Sequence, residues 1–177
     1  MKIYRLIAPD WLIQTQPQLK KVQEGIFTDL EIQEYNTQGY NIYYLPNYPS
    51  EYAKGVTVEG SMIETFNYVF VDCDLKDKVY ADKEQFLEKV GDIGIMPTKV
   101  VDSGNGIHVY WAVSDLDAMS YLRFQRRLLR LFNTDESVAT LYQLMRVENT
   151  LNTKNPNNLI PCEVIFETNE KYTIKYY

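Results

Sequence analysis

Histidine and cysteine are scarce in this sequence, which has one histidine and two cysteines among its 177 residues. A structural zinc site of the common kind takes four Cys or His ligands, so three such residues exclude a zinc knuckle made of Cys and His alone. Cys73 lies between two acidic residues in an apolar stretch, so we expect no structural disulfide and take a reducing cytoplasm as the simplest setting. Any bound metal ion is therefore expected to have carboxylate ligands.

Long hydrophobic runs are also missing. The longest, at 68–71 and 107–113, are far shorter than the roughly 20 apolar residues of a membrane span. The first residues contain no apolar core of about 7 to 15 residues like that of a signal peptide. We therefore expect neither a membrane protein nor a secretory leader. The length and the 45% hydrophobic content suit one domain over 1–177, with a small flanking subdomain over 1–65 as the alternative.

An excess of positive charge is absent, since 18 Lys and Arg stand against 24 Asp and Glu, for a net charge of −6. This balance argues against a protein that coats nucleic acid through bulk electrostatics. The charge is uneven along the chain, because residues 99–154 contain seven basic and six acidic residues, a net +1, and the remainder carries −7. The middle of the chain is therefore the expected nucleic-acid side.

Strand-like and helix-like patterns alternate along the chain. Strands are predicted at residues 2–7, 40–45, 66–73, 98–102, 107–113, 163–166 and 172–176. Helices are predicted at residues 28–38, 82–90, 116–132 and 136–144, and a loop with a short helix at 14–25. Thr28 and Glu31 have capping-box spacing, and Gly39 suits a left-handed helix end. The hairpin signal between 98–102 and 107–113 favours an α+β fold with a largely antiparallel sheet and flanking helices.

Two aspartates, Asp72 and Asp74, stand one residue apart at the end of an apolar run. Side chains alternate along a strand, so both carboxylates are expected on the same face. Such a pair repels unless a cation lies between the two groups, and Mg²⁺ or Mn²⁺ prefers oxygen ligands of this kind. The alternative is that both lie in the turn after the strand and are simply solvated.

The one histidine, His108, follows a Gly-rich hairpin that contains Ser103, Gly104 and Gly106. Its ring N–H, the Ser103 hydroxyl and the flexible backbone around Gly104 could donate hydrogen bonds to a phosphate. Taken alone, a tight hairpin with a surface histidine is the simpler interpretation.

Two further groups of residues have the chemistry of phosphate binding. Arg146, Asn152 and Lys154 follow Asp135 and could bind a triphosphate or a template phosphate, or be ordinary surface residues. The helix predicted at 116–132 carries four arginines at the spacing i, i+3, i+4 and i+7, namely Arg123, Arg126, Arg127 and Arg130. This arginine stripe either follows a template backbone or is a solvated helix face.

The order of these features resembles one protein family. Asp-x-Asp at a strand end, then Ser-Gly-x-Gly-x-His-x-Tyr-Trp, then an acidic residue and an Arg with a following Thr-x-Asn-x-Lys, is similar to the primase-polymerase branch of the archaeo-eukaryotic primase superfamily. The stretch Asn-Thr-Gln-Gly-Tyr-Asn-Ile-Tyr at 36–43 resembles the family's helix-to-strand element ahead of the catalytic strand. The resemblance covers about 27–154, most of the chain.

The resemblance implies a modified RNA-recognition-like sheet and template-dependent addition of nucleotides to a 3′-hydroxyl during DNA replication. It makes Asp72, Asp74 and Asp135 the ligands of two divalent ions, Mg²⁺ or Mn²⁺, with Glu136 open as the third ligand instead of Asp135. It assigns nucleotide binding to Ser103, Gly104, His108, Arg146, Asn152 and Lys154. The implied partners are a single-stranded template and nucleoside triphosphates, with a separate replicative helicase as a further candidate.

One departure from the family pattern concerns the turn after Arg146. Relatives often have Arg-x-Pro-Gly-Thr-x-Asn, whereas this chain lacks both the Pro and the Gly. We expect Asn149 to rebuild the turn, because asparagine tolerates left-handed geometry.

Three other functions compete with the primase interpretation. An Asp-x-Asp pair is also typical of glycosyltransferases that bind a nucleotide-sugar, and a degenerate primase-like domain would only bind nucleic acid or a replication partner. A rolling-circle nicking enzyme needs a His-x-His metal pair, which one histidine cannot supply. The chain also lacks a Walker-type phosphate loop, so we expect no ATPase activity.

Overall fold

The computed structural model describes residues 2–175. The strands are β1 (Tyr4–Ile7), β2 (Val22–Gly25), β3 (Asn41–Tyr44), β4 (Tyr68–Asp74), β5 (Lys99–Asp102), β6 (Gly106–Ser114), β7 (Met145–Arg146), β8 (Thr150–Asn152), β9 (Ile160–Glu167) and β10 (Lys171–Thr173). The helices are α1 (Asp10–Thr15), α2 (Asp29–Gln38), α3 (Lys83–Asp92) and α4 (Ala118–Leu131). This is the α+β fold that the sequence predicts.

The strands form two sheets. The first has the order β2-β1-β3-β7, and its strand pairs are all antiparallel. In the second sheet, β6 pairs with β4 along one edge. Along its other edge it pairs with β5 and then, nearer its C-terminal end, with β10. The sheet continues from β5 to β9 and from β9 to β8. Only the pair of β10 with β6 is parallel among the described strands. The largely antiparallel pattern is therefore confirmed.

The second sheet has an apolar core on each face. On one face Val69, Val71 and Trp111 pack against α3 and α4. On the other face Phe70 and Tyr110 belong to a cluster that contains side chains from both sheets. The strands β4 and β6 are thus covered on both sides, as a nearly continuous apolar run predicts.

The free edge of β4 is closed by a side chain. Gln125 of α4 is fully buried, donates to the Phe70 carbonyl at 2.6 Å and accepts from the Phe70 N–H at 3.2 Å. Its amide replaces a neighbouring strand, so it satisfies backbone groups that burial would otherwise leave unpaired. This contact fixes α4 beside the strand that carries both aspartates.

Several element predictions are confirmed in detail. Thr28 and Glu31 form the predicted capping box at the start of α2, and Gly39 ends that helix in the left-handed region with φ 112°. The predicted hairpin joins β5 to β6 with Asp102 opposite Ile107.

The helix predicted at 136–144 is wrong. Only a short 3₁₀ turn, Glu136–Val138, forms, and the chain then runs irregularly to β7. Tyr142 in this segment lies under the Arg5 guanidinium, 5.0 Å from ring centroid to cation, and its hydroxyl contacts Glu24. Contacts with the first sheet therefore override a weak local helix pattern.

The prediction for 14–25 is also partly wrong, because α1 begins earlier and the segment ends in the strand β2. Only Gly25 is buried in β2, so the strand has no alternating apolar pattern that would mark it. In place of the strand predicted at 172–176 the structure has β10 at Lys171–Thr173, and the predicted residue Tyr176 lies outside the described residues. Within 2–175, no helix has the length and apolar character to cross a membrane.

Candidate active site

The two aspartates and the histidine lie side by side on one face of the second sheet. Asp72 and Asp74 both belong to β4, and Asp74 as its last residue also caps the 3₁₀ turn that follows, so the alternative that both are turn residues is wrong. Asp72 stands directly opposite His108 on β6, and Asp74 stands opposite Gly106. The His108 Nε2 atom is 3.5 Å from Asp72 Oδ1. Cross-strand pairing thus brings together residues 36 positions apart.

Gly106 permits the close approach of the two strands at this point. A Cβ atom built on Gly106 would overlap the Cys73 carbonyl, which is backbone and cannot rotate away. A glycine inside a strand commonly marks such a contact. The carboxylates of β4 therefore lie close to the N-terminal end of β6 because Gly106 has no side chain.

Replacing Gly106 with alanine is expected to lower the free energy of unfolding by about 1–3 kcal/mol, because the added methyl group forces the strands apart. Gly91→Ala is the matched control, since a Cβ atom there meets nothing within 4 Å. That variant lies in α3 and should gain up to about 1 kcal/mol. Urea denaturation measures both, and equal stability of the two variants would contradict the close-approach interpretation.

A cavity of about 230 Å³ opens over these residues. Its walls come from the ends of β3, β4, β6, β7 and β8 and from the β5–β6 hairpin. The lining residues are Tyr43, Asp72, Asp74, Lys76, Ser103, Asn105, Gly106, His108, Leu144, Met145, Arg146, Asn152 and Lys154. Most of the residues that the sequence marks separately therefore face one space.

His108 is buried, with 5% of its surface exposed, so the alternative interpretation of a surface histidine is wrong. Burial lowers the pKa of His108, and the charges of Arg146 and Lys99 lower it further, against the opposing effects of Asp72 and Glu148. The imidazole is therefore neutral near pH 7. Its Nδ1 atom lies 3.4 Å from the Tyr110 hydroxyl. If the hydroxyl donates this contact, the ring proton sits on Nε2 and points towards Asp72 and the cavity.

Asp74 is held by its neighbour Lys76. The Lys76 ammonium lies 2.6 Å from Asp74 Oδ2, and the Lys76 backbone N–H donates to Oδ1 at 3.1 Å. Partial burial works to raise the pKa of Asp74, but the hydrogen bonds from Lys76 and the charges of Lys76 and Lys154 bring it below its usual value. Asp74 is thus ionised at neutral pH.

The donor set at Asp72 and Asp74 fits a divalent cation. Both carboxylates line the same cavity and are about one-third exposed, at 35% and 30% of the side chain. Mg²⁺ commonly binds through one or two carboxylates and keeps several waters, so two aspartates at an open cavity are sufficient protein ligands.

Arg146 projects from β7 into the same cavity and is 7% exposed. Its Nη1 donates to Asn41 Oδ1 at 2.7 Å and its Nη2 to the Tyr43 hydroxyl at 3.0 Å. The guanidinium also lies 4.9 Å from the Tyr43 ring centroid. No carboxylate of the described residues ion-pairs with it. A buried cation whose protein partners are neutral is suited to an anionic ligand.

The turn after Arg146 has the geometry predicted for it. Asn149 adopts φ 62°, in the left-handed region, and its N–H donates to the Cys162 carbonyl at 2.7 Å. Glu148 forms an ion pair with Lys99 of β5 at 2.8 Å. This turn places Asn152 and Lys154 on the cavity wall without the Pro and Gly of the family pattern.

The hairpin residues have different positions. Ser103 lines the cavity, but its hydroxyl donates to the Gly106 carbonyl at 3.1 Å. Gly104 does not line the cavity, and its backbone N–H donates to the Asp102 carboxylate at 2.8 Å. Its φ of +89° and its closeness to Ile160 explain why the position is glycine. A structural role therefore accounts for Gly104.

The third acidic residue, Asp135, shares a cleft with the other two aspartates but does not form a close group of metal ligands with them within 2–175. Asp135 lines a second cleft of about 330 Å³ together with Asp72 and Asp74, but its carboxylate accepts from Ser137 N–H and Oγ at 2.8 and 2.6 Å. Glu136 pairs instead with Arg130 at 2.9 Å. No three Asp, Glu, His or Cys side chains within 2–175 are grouped closely enough to hold an ion. Asp135 as third ligand stays a prediction.

The arginine stripe lies on the exposed side of α4, and Arg123, Arg126, Arg127 and Arg130 are all exposed. The helix ends beside 133–135, which lines the second cleft. The opposite side of α4 packs on β4 through Gln125. The stripe therefore leads along the surface to the cleft that Asp72 and Asp74 share.

The sequence analysis did not predict Lys76 and Tyr43, which contact Asp74 and Arg146 in the cavity. Lys76 has a local signal, because it stands two positions after Asp74 and can reach back to it. Tyr43 has no such signal, since only the pairing of β3 with β7 brings it opposite Arg146.

The fold is that of primase-type catalytic domains. Neither a protein-family model nor a curated protein matches the sequence. Among solved structures, the chain is similar to the archaeo-eukaryotic primase (AEP) domain of the cyanophage S-2L primase-polymerase, with a TM-score of 0.73 and 20% identity over 97% of this chain and 84% of that one.

Two structures of the primase RepB′ are also similar. The first has a TM-score of 0.61 and 16% identity, and the match covers 96% of this chain and 52% of that chain, so this chain spans about half the length of RepB′. The second is the RepB′ catalytic domain in complex with initiator DNA, with a TM-score of 0.57 and 18% identity over 96% of this chain and 79% of that chain. What this chain shares with these three structures is the fold.

Proposed function

We propose that this chain is a template-dependent nucleotidyltransferase, a DNA primase or primase-polymerase. The observation that carries the proposal is the convergence of Asp72, Asp74, His108 and Arg146 on one cavity, in a fold shared with primases. The first two residues supply negative charge for metal ions, and Arg146, which forms no ion pair with the described residues, supplies positive charge for a phosphate. Opposite charges that face one cavity suit an anionic substrate and a cation that bind there together.

In the proposed reaction, a 3′-hydroxyl gives up its proton to solvent and attacks the α-phosphate of a nucleoside triphosphate in line; a new phosphodiester bond forms, the bond between the α-phosphorus and the α,β-bridging oxygen breaks, and pyrophosphate leaves. Mg²⁺ or Mn²⁺ held by Asp72 and Asp74, with Asp135 as the candidate third ligand, would lower the charge cost of attack and departure. Arg146 and Lys154 bind triphosphate oxygens, and Asn152 helps to orient the triphosphate. His108 donates from Nε2 to a phosphate oxygen from a fixed, buried position.

The test is primer extension and primer-free synthesis on single-stranded DNA with labelled nucleotides and Mg²⁺ or Mn²⁺. The unaltered chain is compared with Asp72→Ala/Asp74→Ala. Metal-dependent products that vanish in the double variant support the proposal, and products without a primer make the enzyme a primase. The absence of product with both metals, together with hydrolysis of a nucleotide-sugar or with DNA binding alone, would overturn it in favour of a glycosyltransferase or a binding domain.

We further propose that the arginine stripe binds the template backbone. Exposed guanidinium groups along a helix that ends at the second cleft are placed to neutralise successive phosphates. Replacing Arg126 and Arg127 with glutamine should make the salt dependence of single-stranded DNA binding shallower by about 1.4 in the log–log slope, because each lost phosphate contact removes about 0.7.

Lys21→Gln/Lys54→Gln is the charge-matched control, since both lysines are exposed and neither lines the active-site cavity or the second cleft. It should lower affinity slightly and leave the slope unchanged. Fluorescence anisotropy from 50 to 300 mM salt measures both variants. Identical slopes for the arginine variant and the unaltered chain would remove the stripe from the interface.

A further inference from the structure

One buried carbonyl oxygen joins the two halves of the proposed phosphate site. Asn41 is 3% exposed, and its Oδ1 accepts from Arg146 Nη1 at 2.7 Å and from the Thr153 backbone N–H at 3.1 Å. Arg146 belongs to the first sheet, and Thr153 follows directly on β8 of the second. The same atom therefore holds a side chain of one sheet and the main chain of the other.

The bond to Arg146 fixes the plane of the guanidinium. With Nη1 on Asn41 and Nη2 on the Tyr43 hydroxyl, the fork has two anchors on β3, and the Tyr43 ring lies against it. A long flexible side chain loses rotamer entropy when it is ordered, so an anchored one costs less to use in binding. Both anchors are neutral groups, so the positive charge remains available to an anion.

The bond to Thr153 fixes the main chain between Asn152 and Lys154, which both line the cavity. The Thr153 hydroxyl also donates to the Gly39 carbonyl. The chain on either side of Thr153 thus has little freedom, and two further groups of the site are set by the same contact.

A second buried amide supports β8 without touching Arg146. Asn36 is 5% exposed, accepts from the Leu151 N–H at 2.8 Å and donates to the Leu151 carbonyl at 2.9 Å. It also donates to the Tyr40 carbonyl at 2.9 Å. Asn36 therefore resembles Asn41 in burial and in its structural bonds but lacks the link to the guanidinium.

From these contacts we propose that Asn41 is a positioning residue of the triphosphate site and acts through Arg146. It orients the guanidinium and the 152–154 segment as one rigid unit across the joint between the two sheets. The inference rests on the proposed function and adds to it a residue that touches no substrate. Its signature is energetic coupling to Arg146, which a purely structural asparagine would not have.

The experiment is a double-mutant cycle of Asn41→Leu and Arg146→Lys, read by calorimetric binding of inorganic tripolyphosphate and by KM and kcat for nucleotide incorporation. N41L should weaken tripolyphosphate binding and raise the nucleotide KM by roughly tenfold, because it removes a hydrogen bond to a charged group. In the R146K background, which lacks the fork, the same change should have a clearly smaller effect on both quantities, because only the contact to the 152–154 segment is left to lose. The kcat should change less than KM.

Asn36→Leu is the matched control, with a similar loss of stability in urea but less than about a twofold change in tripolyphosphate affinity. Should N41L fail to fold, Asn41→Ser enters the same cycle, because the shorter serine side chain cannot reach both Arg146 Nη1 and the Thr153 N–H. Equal effects of the substitution in the two Arg146 backgrounds would overturn the inference and leave the proposed function standing. No tripolyphosphate binding by the unaltered chain would overturn the proposed triphosphate site itself.

Discussion

Replacing Asp74 with asparagine is expected to lower nucleotide incorporation by roughly 10³-fold or more, since a bound metal ion contributes several kcal/mol of charge stabilisation. The fold should survive, because asparagine can still accept from the Lys76 N–H at the start of the short 3₁₀ turn. Gel-based primer extension measures the loss. Calorimetry with Mn²⁺ should show weaker binding in the same variant, independently of activity.

Asp92→Asn is the matched control for this variant. Asp92 is an exposed carboxylate at the end of α3, and that helix packs on the sheet face opposite the cavity. Its substitution removes the same charge and should leave incorporation and Mn²⁺ binding unchanged. Near-normal synthesis by Asp74→Asn would refute the metal role of the aspartate pair.

Replacing His108 with alanine is expected to lower kcat/KM for nucleotide incorporation by about 10²–10³-fold, the usual effect of removing one preorganised donor to a developing charge. The imidazole is buried and held between Asp72 and Tyr110, so its N–H needs no reorientation when a triphosphate binds. Steady-state kinetics over a range of nucleotide concentrations measures the change.

Two further variants separate donation from packing at this position. His108→Gln keeps an N–H donor and should recover part of the activity, whereas His108→Phe keeps the ring volume and should not. Tyr110→Phe removes the hydroxyl at Nδ1 and should have a smaller effect than either histidine variant without a donor. Full activity of His108→Phe would show that the position serves packing alone.

Local patterns predict those features of the site that depend on neighbouring residues in the chain. The common face of Asp72 and Asp74 follows from strand alternation, and the structure confirms it. The left-handed turn at Asn149 follows from the tolerance of asparagine for positive φ, and the structure confirms that as well. Neither prediction requires knowledge of a distant contact.

Interpretations of local patterns were wrong where contacts between distant segments decide the structure. The hairpin taken alone favoured the alternative of an exposed histidine, but packing of the two sheets buries His108. The helix predicted at 136–144 does not form, because Tyr142 is drawn to Arg5 and Glu24 of the first sheet. In both cases the energy of long-range contacts exceeds the local preference.

The sequence by itself determined the α+β pattern, the paired carboxylates on one strand face, the glycine-rich hairpin before His108 and the resemblance to primases. These depend on alternation, capping and turn geometry, which act over a few residues. Only the tertiary structure decided that Arg146 has no carboxylate partner among the described residues, that Asn41 links it to 152–154 and that Asp135 is held by Ser137. Those contacts join segments far apart in the chain or between two sheets, and no short-range pattern encodes which donor meets which acceptor there.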